Sequence, residues 1–486
     1  MKRKLFSKVL IANRGEIAIR VMRACRELGI ATAAVYSDAD RNAIHARYAD
    51  EAHHIGGAPP AESYLQLDRI VKVAHDCGAE AIHPGYGFLS EKPAFPDACE
   101  AAGIQFIGPP ASAMRALSSK VSARKMAVEH GVPVTPGTGA IGDPAAAAAA
   151  AREIGFPVMV KPSGGGGGIG MKVVESEAEL VAAIESSAQA ARSAFGDGTV
   201  YLERYVRKPR HVEIQVICDS HGNAVHLGER ECSIQRRHQK ILEETPSPVV
   251  TPEIRFAMGA AAIRAVRAAG YVNAGTVEFI FSDGDFYFLE VNARLQVEHP
   301  ITEAVTGIDL VKEQIRIAAG MELSFRQEDV SWTGHAIEMR INAEDPLRKF
   351  MPNPKRIARW VAPAGPGVRV DSGFGPGSEV PPNYDSLIAK LIVHGSDRAE
   401  AIARAGRALR EFVVVGPSTT ISYHRAILDS ADFRAGKLST RFIDDHPELV
   451  EMAKKFAGDT SPFDYGADPR YIAAAAAAVA VAVQKH

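Results

Sequence analysis

Polar side chains occupy every second position of the segment FLEVNARLQVEHP, residues 288–300. Alternate residues of an extended chain share a face, so this pattern predicts a strand with one polar and one apolar face. Carboxylates, amides and a guanidinium on one half-buried face predict a site for a metal ion and an anion. The structural alternative is that the arginine only pairs with a neighbouring glutamate. The polar face would carry Glu290, Asn292, Arg294, Gln296 and Glu298.

A second acidic strand precedes this segment, because the apolar run AGTVEFIF at residues 274–281 contains Glu278. The two strands can pair as a hairpin. A three-residue loop at residues 283–285 would place Glu278 opposite Glu290, whereas a two-residue loop would pair Glu290 with Val277. We expect the three-residue loop, because two adjacent carboxylates repel each other unless a cation such as Mg²⁺ lies between them.

The segment FPVMVKPSGGGGGIGMKVVES, residues 156–176, predicts a strand, a glycine loop and a second strand. It differs from a Walker loop, whose glycines precede a Lys-Ser/Thr pair and open a helix. Backbone N–H groups at such a hairpin tip can close around phosphate oxygens, and Lys161 and Lys120 can add positive charge. With the predicted metal strand, this indicates an ATP site. The alternative is a flexible linker without a ligand.

Basic residues in the middle of the chain indicate a second, smaller anion beside the nucleotide. The segment ECSIQRRHQKILEE, residues 231–244, is predicted to be a polar, basic loop that carries His238 and Lys240. Together with Arg294 these side chains would surround a planar oxyanion, which a guanidinium binds in two-pronged fashion. On a preceding strand, His211, Glu213 and Gln215 alternate on one face.

Length and composition limit the class of protein. The chain has 486 residues, which at about 150 residues per domain predicts roughly three domains. Its 56 basic and 58 acidic residues form no long basic run, so we expect no nucleic-acid surface. The C-terminal alanine-rich run is shorter than the ~20 residues that span a bilayer, so we expect a docking helix and no membrane insertion. Five cysteines without a C-x-x-C pair are typical of a reduced, cytoplasmic protein.

The order of patterns along the chain predicts several domains of the α/β and α+β classes. Strand-like segments at residues 8–12 and 31–37 flank an amphipathic helix and form a β-α-β unit. The turn after the first strand lacks the G-x-G-x-x-G pattern, which argues against a nicotinamide dinucleotide. A strand-rich region follows from about residue 333, and residues 448–486 predict a helical tail.

Nine segments resemble the biotin carboxylase component of biotin-dependent carboxylases, which belongs to the ATP-grasp superfamily. They are KVLIANRGEIAIR, AIHPGYGFLSE, SKVSARKMA, VKPSGGGGGIGM, RHVEIQV, ERECSIQRRHQKILEE, GTVEFIF, EVNARLQVEHPITE and EMRINAEDP. QRRHQK and RLQVEHP are the most specific of these motifs. The chain departs from the pattern at Ile169, where many relatives carry a basic residue, and at Ala293 and Asn383, where threonine and tyrosine are common.

The resemblance implies an ATP-grasp fold with a Rossmann-like N-terminal domain at residues 1–115. The ATP-grasp domain would follow at residues 116–332 and would include a mobile lid at about residues 134–205. A C-terminal biotin carboxylase domain would occupy residues 333–447, ahead of the helical tail.

The resemblance also implies roles for individual residues. ATP would be bound by Lys120, Lys161, Gly167, Gly168, Glu203, Arg204, Tyr205, Val206, His211, Gln235, His238, Glu278 and Glu290. Mg²⁺ or Mn²⁺ would be held by Glu278, Glu290 and Asn292. Bicarbonate would contact Lys240, Arg294, Gln296, the backbone of Val297, and Glu298 as its general base. Biotin would contact Tyr86 and Arg340, and the catalytic residues would be Lys240, Arg294, Glu298 and Arg340.

The implied reaction is the ATP- and bicarbonate-dependent carboxylation of biotin through carboxyphosphate. The sequence shows no Ala-Met-Lys-Met-like attachment segment, so we expect biotin on a separate carrier protein. The resemblance implies a further partner, the carboxyltransferase. Family likeness predicts a homodimer. The final acceptor stays open among acetyl-CoA, propionyl-CoA, another acyl-CoA, pyruvate and 2-oxoglutarate.

Two other interpretations share part of the pattern. A different ATP-grasp ligase, which activates a carboxylate for an amine, would have the metal strand and the glycine loop but no use for QRRHQK or Arg340. A non-catalytic nucleotide-binding subunit would not need Glu298, Lys240 and Arg340 together.

Overall fold

The computed structural model of the protein describes residues 5–141, 144–164, 169–459, 461 and 463–464. Two residues predicted to bind ATP, Gly167 and Gly168, lie outside the described residues, and so does the alanine-rich segment at residues 471–486. Among the described helices, none is long and apolar enough to cross a membrane.

The first part of the chain is a parallel α/β sheet, which confirms the predicted β-α-β opening. Its strands are β1 (Lys8–Ile11), β2 (Ala31–Tyr36), β3 (Glu51–His54), β4 (Ala81–His83) and β5 (Gln105–Phe106), in the order β3-β2-β1-β4-β5. Val9, Leu10 and Ile11 are fully buried, as expected for a central parallel strand covered on both faces. The helices up to residue 129 are α1 (Gly15–Glu27), α2 (Ile44–Tyr48), α3 (Leu67–Asp76), α4 (Ala94–Ala101), α5 (Ala111–Ser118) and α6 (Lys120–Glu129).

A small antiparallel sheet carries the glycine loop. It contains β6 (Val158–Pro162), β7 (Lys172–Val174) and β8 (Val200–Arg204) in the order β7-β6-β8, with helices α7 (Pro144–Ile154) and α8 (Glu177–Phe195). Val158, Val160 and Leu202 of the sheet form one buried cluster with Ala151 and Leu180 of the helices. β6 and β7 pair with each other, so the two predicted strands are confirmed, whereas residues 165–168 of the glycine loop lie outside the described residues.

A continuous antiparallel sheet of eight strands forms the centre of the molecule. Its first five strands in the sequence are β9 (Arg210–Cys218), β10 (Ala224–Arg236), β11 (Gln239–Thr245), β12 (Asn273–Ser282) and β13 (Asp285–Asn292). Helix α9 (Pro252–Ala268) connects β11 to β12, and α10 (His299–Thr306) and α11 (Leu310–Ala318) follow β13.

The C-terminal part adds strands to the same sheet. Its strands are β14 (His335–Asn342), β15 (Glu344–Asp345), β16 (Met351–Pro352), β17 (Arg359–Val361), β18 (Val368–Ser372), β19 (Leu387–Gly395) and β20 (Val413–Val415). β14 pairs with β11, and the complete order is β13-β12-β9-β10-β11-β14-β19-β18. The sheet therefore runs without a break across the domain boundary expected at residues 332–333. The helices here are α12 (Arg398–Glu411), α13 (Ile421–Asp429), α14 (Ala431–Arg434), α15 (Phe442–Asp445) and α16 (Leu449–Ala457).

One predicted loop is instead a β-hairpin. Residues 231–244 belong to β10 and β11, which are joined by a two-residue turn at Arg237 and His238. Both turn residues have positive φ, 50° and 65°, as the tight turns of two-residue hairpins require. The prediction was wrong because the polar residues of these strands, such as Glu231 and Glu244, are buried in ion pairs and not solvated.

Candidate active site

A cavity of about 450 Å³ lies between the small glycine-loop sheet and the eight-stranded sheet. It is lined by eleven residues predicted to bind ATP: Lys120, Lys161, Glu203, Arg204, Tyr205, Val206, His211, Gln235, His238, Glu278 and Glu290. Apolar residues that the sequence analysis did not single out also line it: Met159, Tyr201, Ile280 and Leu289. A cavity with charged groups and apolar walls suits a ligand that combines a planar base with phosphates.

The hairpin between β12 and β13 has a shorter loop than predicted. Ser282 pairs with Asp285, so the loop contains two residues, and the predicted three-residue loop is wrong. A regular hairpin with this loop would pair Glu290 with Val277 and turn the two carboxylates predicted to bind metal to opposite faces.

A β-bulge corrects the register of this hairpin. Leu289 is an extra residue on β13, because Phe288 pairs with Phe279 whereas Glu290 pairs with Glu278. The bulge shifts the following residues by one position, so Glu278 and Glu290 face each other as the sequence analysis predicted.

A row of polar side chains crosses four neighbouring strands. Glu290 pairs with Glu278, Glu278 with Glu213 on β9, and Glu213 with Arg230 on β10. Arg230 is fully buried, and its guanidinium donates to Glu213 Oε1 and Gln215 Oε1, each at 2.6 Å. The alternation along β9 predicted that Glu213 and Gln215 share a face. Arg230 could not be predicted in this way, because only the pairing of β9 with β10 brings it to them.

The ammonium group of Lys240 is held by three carboxylates. Its Nζ lies 2.5 Å from Glu213 Oε2, 2.9 Å from Glu278 Oε1 and 2.7 Å from Glu298 Oε1. Burial lowers the pKa of Lys240, but the surrounding acidic groups outweigh burial and raise this pKa well above its usual value. Lys240 is therefore a protonated cation at the centre of the site.

Glu298 is fixed from two sides. Lys240 donates to its Oε1 at 2.7 Å, and Arg340 donates to its Oε2 through Nη2 at 2.9 Å. Burial alone would raise the pKa of Glu298, but Lys240, Arg340 and Arg230 hold it well below its usual range. Glu298 is therefore an ionised carboxylate that can accept a proton.

Glu278, which faces Glu290 across the hairpin, also contacts the groups around Glu298. His211 Nε2 lies 3.1 Å from Glu278 Oε2, and Gln296 Nε2 donates to Glu278 Oε1 at 3.3 Å. Burial would raise the pKa of Glu278, but Lys240 and His211 keep it well below its usual value. The carboxylate is thus ionised and available to a cation.

The polar strand predicted at residues 288–300 ends at Asn292. The chain then bends, and a turn at Val297 and Glu298 leads into α10. The prediction of a strand was wrong beyond Asn292, where residues 293–298 form a loop and a turn. Pro300 then stands in the first turn of α10, where proline favours a helix start and excludes a strand interior. Gln296 and Glu298 still reach the site, each through a hydrogen bond reported above.

Arg294 does not form the ion pair that the structural alternative required. Its Nε lies 3.1 Å from Glu91 Oε2, and its Nη2 donates to Asn292 Oδ1 at 3.2 Å. The guanidinium is therefore held beside the predicted metal residues and not against Glu290 or Glu298.

The residues predicted to bind a metal ion fit a hard divalent cation. Glu278 and Glu290 face each other across the hairpin, and Asn292 lies two residues further along β13. All three offer oxygen ligands, as Mg²⁺ and Mn²⁺ prefer. Lys120 Nζ lies 3.1 Å from Glu290 Oε2, so a basic side chain already balances the outer carboxylate.

Lys161 reaches the cavity from β6. Its ammonium group forms an ion pair with Glu203 on β8, and Arg124 Nη1 lies 3.0 Å from the other oxygen of that carboxylate. Arg124 was not predicted, because it lies on α6 and meets Glu203 only in the folded chain.

Tyr86 and Arg340, the two residues predicted to contact biotin, are both neighbours of Lys390. The ring of Tyr86 lies 5.9 Å from Lys390 Nζ, and Lys390 is the cross-strand partner of Arg340. The hydroxyl of Tyr86 is buried and has no hydrogen-bond partner among the residues that the structure describes.

Three family models match consecutive parts of the chain. The biotin carboxylase N-terminal domain matches residues 5–114, the carbamoyl-phosphate synthase L chain ATP-binding domain matches residues 119–326, and the biotin carboxylase C-terminal domain matches residues 338–445.

Curated relatives are similar over almost the whole chain. Biotin carboxylase 1 of Bacillus subtilis is 52% identical over 443 residues, which cover 90% of this chain and 98% of the relative. A pyruvate carboxylase subunit from Methanothermobacter thermautotrophicus is 58% identical over 448 residues, which cover 92% of this chain and 91% of the relative.

Solved structures are similar in fold. The biotin carboxylase domain dimer of the Hydrogenobacter thermophilus 2-oxoglutarate carboxylase, in complex with MgADP, ADP and bicarbonate, has a TM-score of 0.87 and 47% identity. The match covers 92% of this chain and 99% of that domain. Identity above one half across nine tenths of the sequence, on the same fold, shows that the chain belongs to the biotin carboxylase family of ATP-dependent ligases.

Proposed function

We propose that the chain carboxylates biotin with ATP and bicarbonate, as the first half-reaction of a biotin-dependent carboxylase. The observation that carries the proposal is Glu298, a fully buried carboxylate held between Lys240 and Arg340 beside the cavity. A general base flanked by two cations is what a small oxyanion needs before phosphoryl transfer. The structure of the Hydrogenobacter relative with MgADP and bicarbonate supports the same assignment.

The cavity would hold ATP. The apolar side chains of Met159, Tyr201 and Leu289 would pack on the adenine, while Lys120 and Lys161 would contact phosphates. The segment from Glu203 to Val206, with His211, Gln235 and His238, would complete the nucleotide contacts. Gly167 and Gly168 would close over the phosphates with their backbone N–H groups.

Glu278, Glu290 and Asn292 would hold Mg²⁺ or Mn²⁺. When bound, the ion supplies positive charge that offsets the charge of the phosphate oxygens. The hairpin register set by Leu289 presents both carboxylates on one face, and Lys120 remains near Glu290 to contact the nucleotide.

Bicarbonate would lie against Lys240, Arg294, Gln296 and the backbone of Val297. Glu298 takes the bicarbonate proton, and the resulting oxyanion attacks the γ-phosphate of ATP in line, so that ADP leaves. The product is carboxyphosphate. Lys240 stabilises the anionic reactants because its protonated state is fixed by the surrounding carboxylates.

Carboxyphosphate would break down beside biotin to carbon dioxide and phosphate. The phosphate takes the proton of the ureido nitrogen, which then attacks carbon dioxide. Arg340 would stabilise the oxyanion that develops on biotin, and Tyr86 would border the ring. The guanidinium is already in place, because Glu243 Oε1 accepts from Arg340 Nε at 2.7 Å.

The domain arrangement would protect this chemistry from water. We assign domains at residues 1–115, 116–332 and 333–447, followed by a tail at residues 448–486. The unit of β6, β7 and β8 falls within the lid proposed at about residues 134–205, and its closure would keep carboxyphosphate from hydrolysis.

The chain would act with a biotin carboxyl carrier protein and a carboxyltransferase. A homodimer is proposed because the Hydrogenobacter relative was solved as a domain dimer. A cytoplasmic location is proposed because all five cysteines are free thiols and four of them are buried.

The test is ATP cleavage by the purified chain, measured with and without bicarbonate and with free biotin as acceptor. We expect phosphate release to depend on bicarbonate and to rise with biotin, and labelled bicarbonate carbon to appear in carboxybiotin. Cleavage that needs an amine instead would indicate a carboxylate–amine ligase. Nucleotide binding without cleavage would indicate a non-catalytic protein.

A further inference from the structure

Lys390 on β19 is fully buried, which is rare for a lysine without a specific partner. Its Nζ donates to the backbone carbonyl of Val297 at 2.8 Å and lies 3.3 Å from Glu16 Oε1. Val297 immediately precedes Glu298 in the turn before α10. The buried ammonium group thus contacts the backbone of the segment that would bind bicarbonate.

Lys390 acts beside Arg340. The two residues are directly opposite on β19 and β14, so their side chains leave the same face of the sheet. Arg340 holds the side chain of Glu298, and Lys390 holds the carbonyl of Val297. A cross-strand pair of cations therefore fixes two consecutive residues of one turn.

The carbonyl of Val297 is a closer partner of Lys390 than the acidic groups around it, at 2.8 Å against 3.3 Å for Glu16. Asp371, the cross-strand neighbour of Lys390 on β18, is bound by Arg369 at 2.7 Å. The carboxylate oxygens of Glu338 are buried and accept no hydrogen bond from any residue that the structure describes, whereas Glu16 Oε1 lies 3.3 Å from Lys390 Nζ. Burial raises the pKa of Glu16 to about 7 and that of Glu338 well above its usual value, so neither is a fully ionised partner near neutral pH.

The contact with Val297 has a direct geometric consequence for Glu298. The carbonyl of Val297 and the N–H of Glu298 belong to one planar peptide unit. A hydrogen bond that fixes this carbonyl also fixes the position from which the Glu298 side chain starts. Loss of the bond would leave Glu298 in contact with Lys240 and Arg340 but with a freer backbone.

We propose that Lys390 is a positioning residue for bicarbonate, which acts by holding the peptide unit between Val297 and Glu298. It does not touch the reactants itself. The inference rests on the proposed function, because it takes Val297 and Glu298 as bicarbonate-binding residues.

The experiment compares Lys390→Met and Lys390→Gln with wild type in bicarbonate-dependent ATP cleavage. His394→Gln is the matched control, because His394 lies on the same strand and also contacts a backbone carbonyl, that of Thr333 at 2.8 Å, away from the site. We expect the bicarbonate KM to rise about 10- to 100-fold in Lys390→Met, the size expected for loss of a hydrogen bond from a charged donor. The ATP KM should change less than about twofold, and Lys390→Gln, which retains an N–H donor, should fall between Lys390→Met and wild type.

The outcomes separate this inference from the proposed function. A wild-type chain without bicarbonate-dependent cleavage would overturn the proposed function and this inference with it. An active wild type, together with a Lys390→Met variant that binds ATP normally and keeps its bicarbonate KM, would overturn this inference alone. If both variants lose native nucleotide affinity, Lys390 supports the fold as a whole, and the positioning role is likewise rejected.

Discussion

Glu290 stands opposite Glu278 because Leu289 is an extra residue on β13. The bulge has two effects at once. It brings both carboxylates to the face that carries Glu213 and Lys240, and it allows Leu289 to line the cavity. A single irregularity thereby connects the proposed metal site with the proposed adenine wall.

Glu290→Gln should weaken the proposed metal site without unfolding the protein. One of two opposed carboxylates loses its charge, so the free Mg²⁺ needed for half-maximal activity should rise at least about tenfold. The free energy of unfolding should change little, because the Glu290 side chain is 35% exposed. Activity titrated with Mg²⁺ at saturating ATP measures the effect. Asp283→Asn, in the loop of the same hairpin, is the control and should behave like wild type.

Glu298→Gln should remove the proposed general base. Bicarbonate-dependent phosphate release should fall about 10²- to 10⁴-fold, whereas nucleotide affinity should stay within about twofold. Phosphate release and binding of an ATP analogue are the two measurements. A variant that retained most of its bicarbonate-dependent activity would show that another group accepts the proton.

Lys240→Met should destabilise the folded state. Three buried carboxylates would lose a shared cation, and breaking such a buried pair costs about 3–5 kcal/mol of unfolding free energy. Denaturant unfolding measures this cost. Lys454→Met is the control, since its ion pair with Glu451 is exposed and is worth less than about 1 kcal/mol. Adding Glu213→Gln to Lys240→Met should restore part of the loss, and failure to do so would argue against charge repulsion as the cause.

Glu243 should make stability depend on pH. Burial raises the pKa of Glu243 to about 7, against the opposing effect of Arg340 and with a further contribution from Glu298. The folded protein thus keeps a proton that the unfolded chain releases from its usual pKa of 4.5. Stabilisation by this proton is complete below pH 4.5 and is lost as the pH rises to about 7.

Glu243→Gln replaces the ionisable carboxyl group with an amide, which neither binds nor releases a proton in this pH range. Relative to this variant, wild type should lose up to about 3 kcal/mol of unfolding free energy as the pH rises through this window. Urea unfolding of both proteins at several pH values gives the difference, in which contributions from histidines cancel. A difference that stays constant with pH would contradict the raised pKa.

The sequence predicted those parts of the site that depend on local periodicity. Alternation along single segments placed Glu213 and Gln215 on one face. The expectation that a cation lies between Glu278 and Glu290 led to the correct prediction that these two residues face each other. Motifs that resemble a known family supplied the fold class and the proposed roles of Lys240 and Arg340.

Features that arise from pairing between distant segments could not be predicted. Arg230, Glu243 and Lys390 join the site only when β10, β11 and β19 come together in one sheet. The hairpin at residues 231–244 was mistaken for a loop because buried ion pairs and solvated charges look alike in a sequence. The bulge at Leu289 could not be predicted from the sequence, because an extra residue in a strand and an extra residue in a loop leave the same spacing between Glu278 and Glu290.

The unbroken sheet across residues 332–333 restricts how the molecule can open. β11 and β14 are joined through four residue pairs, from Leu242 with Met339 to Thr245 with Ala336. Hinge motion at that point would have to break the backbone hydrogen bonds between β11 and β14. Each bond that water does not replace adds to the free-energy cost of this motion. Lys240 on β11 and Arg340 on β14 are thus held on paired strands. We therefore expect entry and exit of large reactants to depend on the proposed lid, the unit of β6, β7 and β8, and not on separation of these two strands.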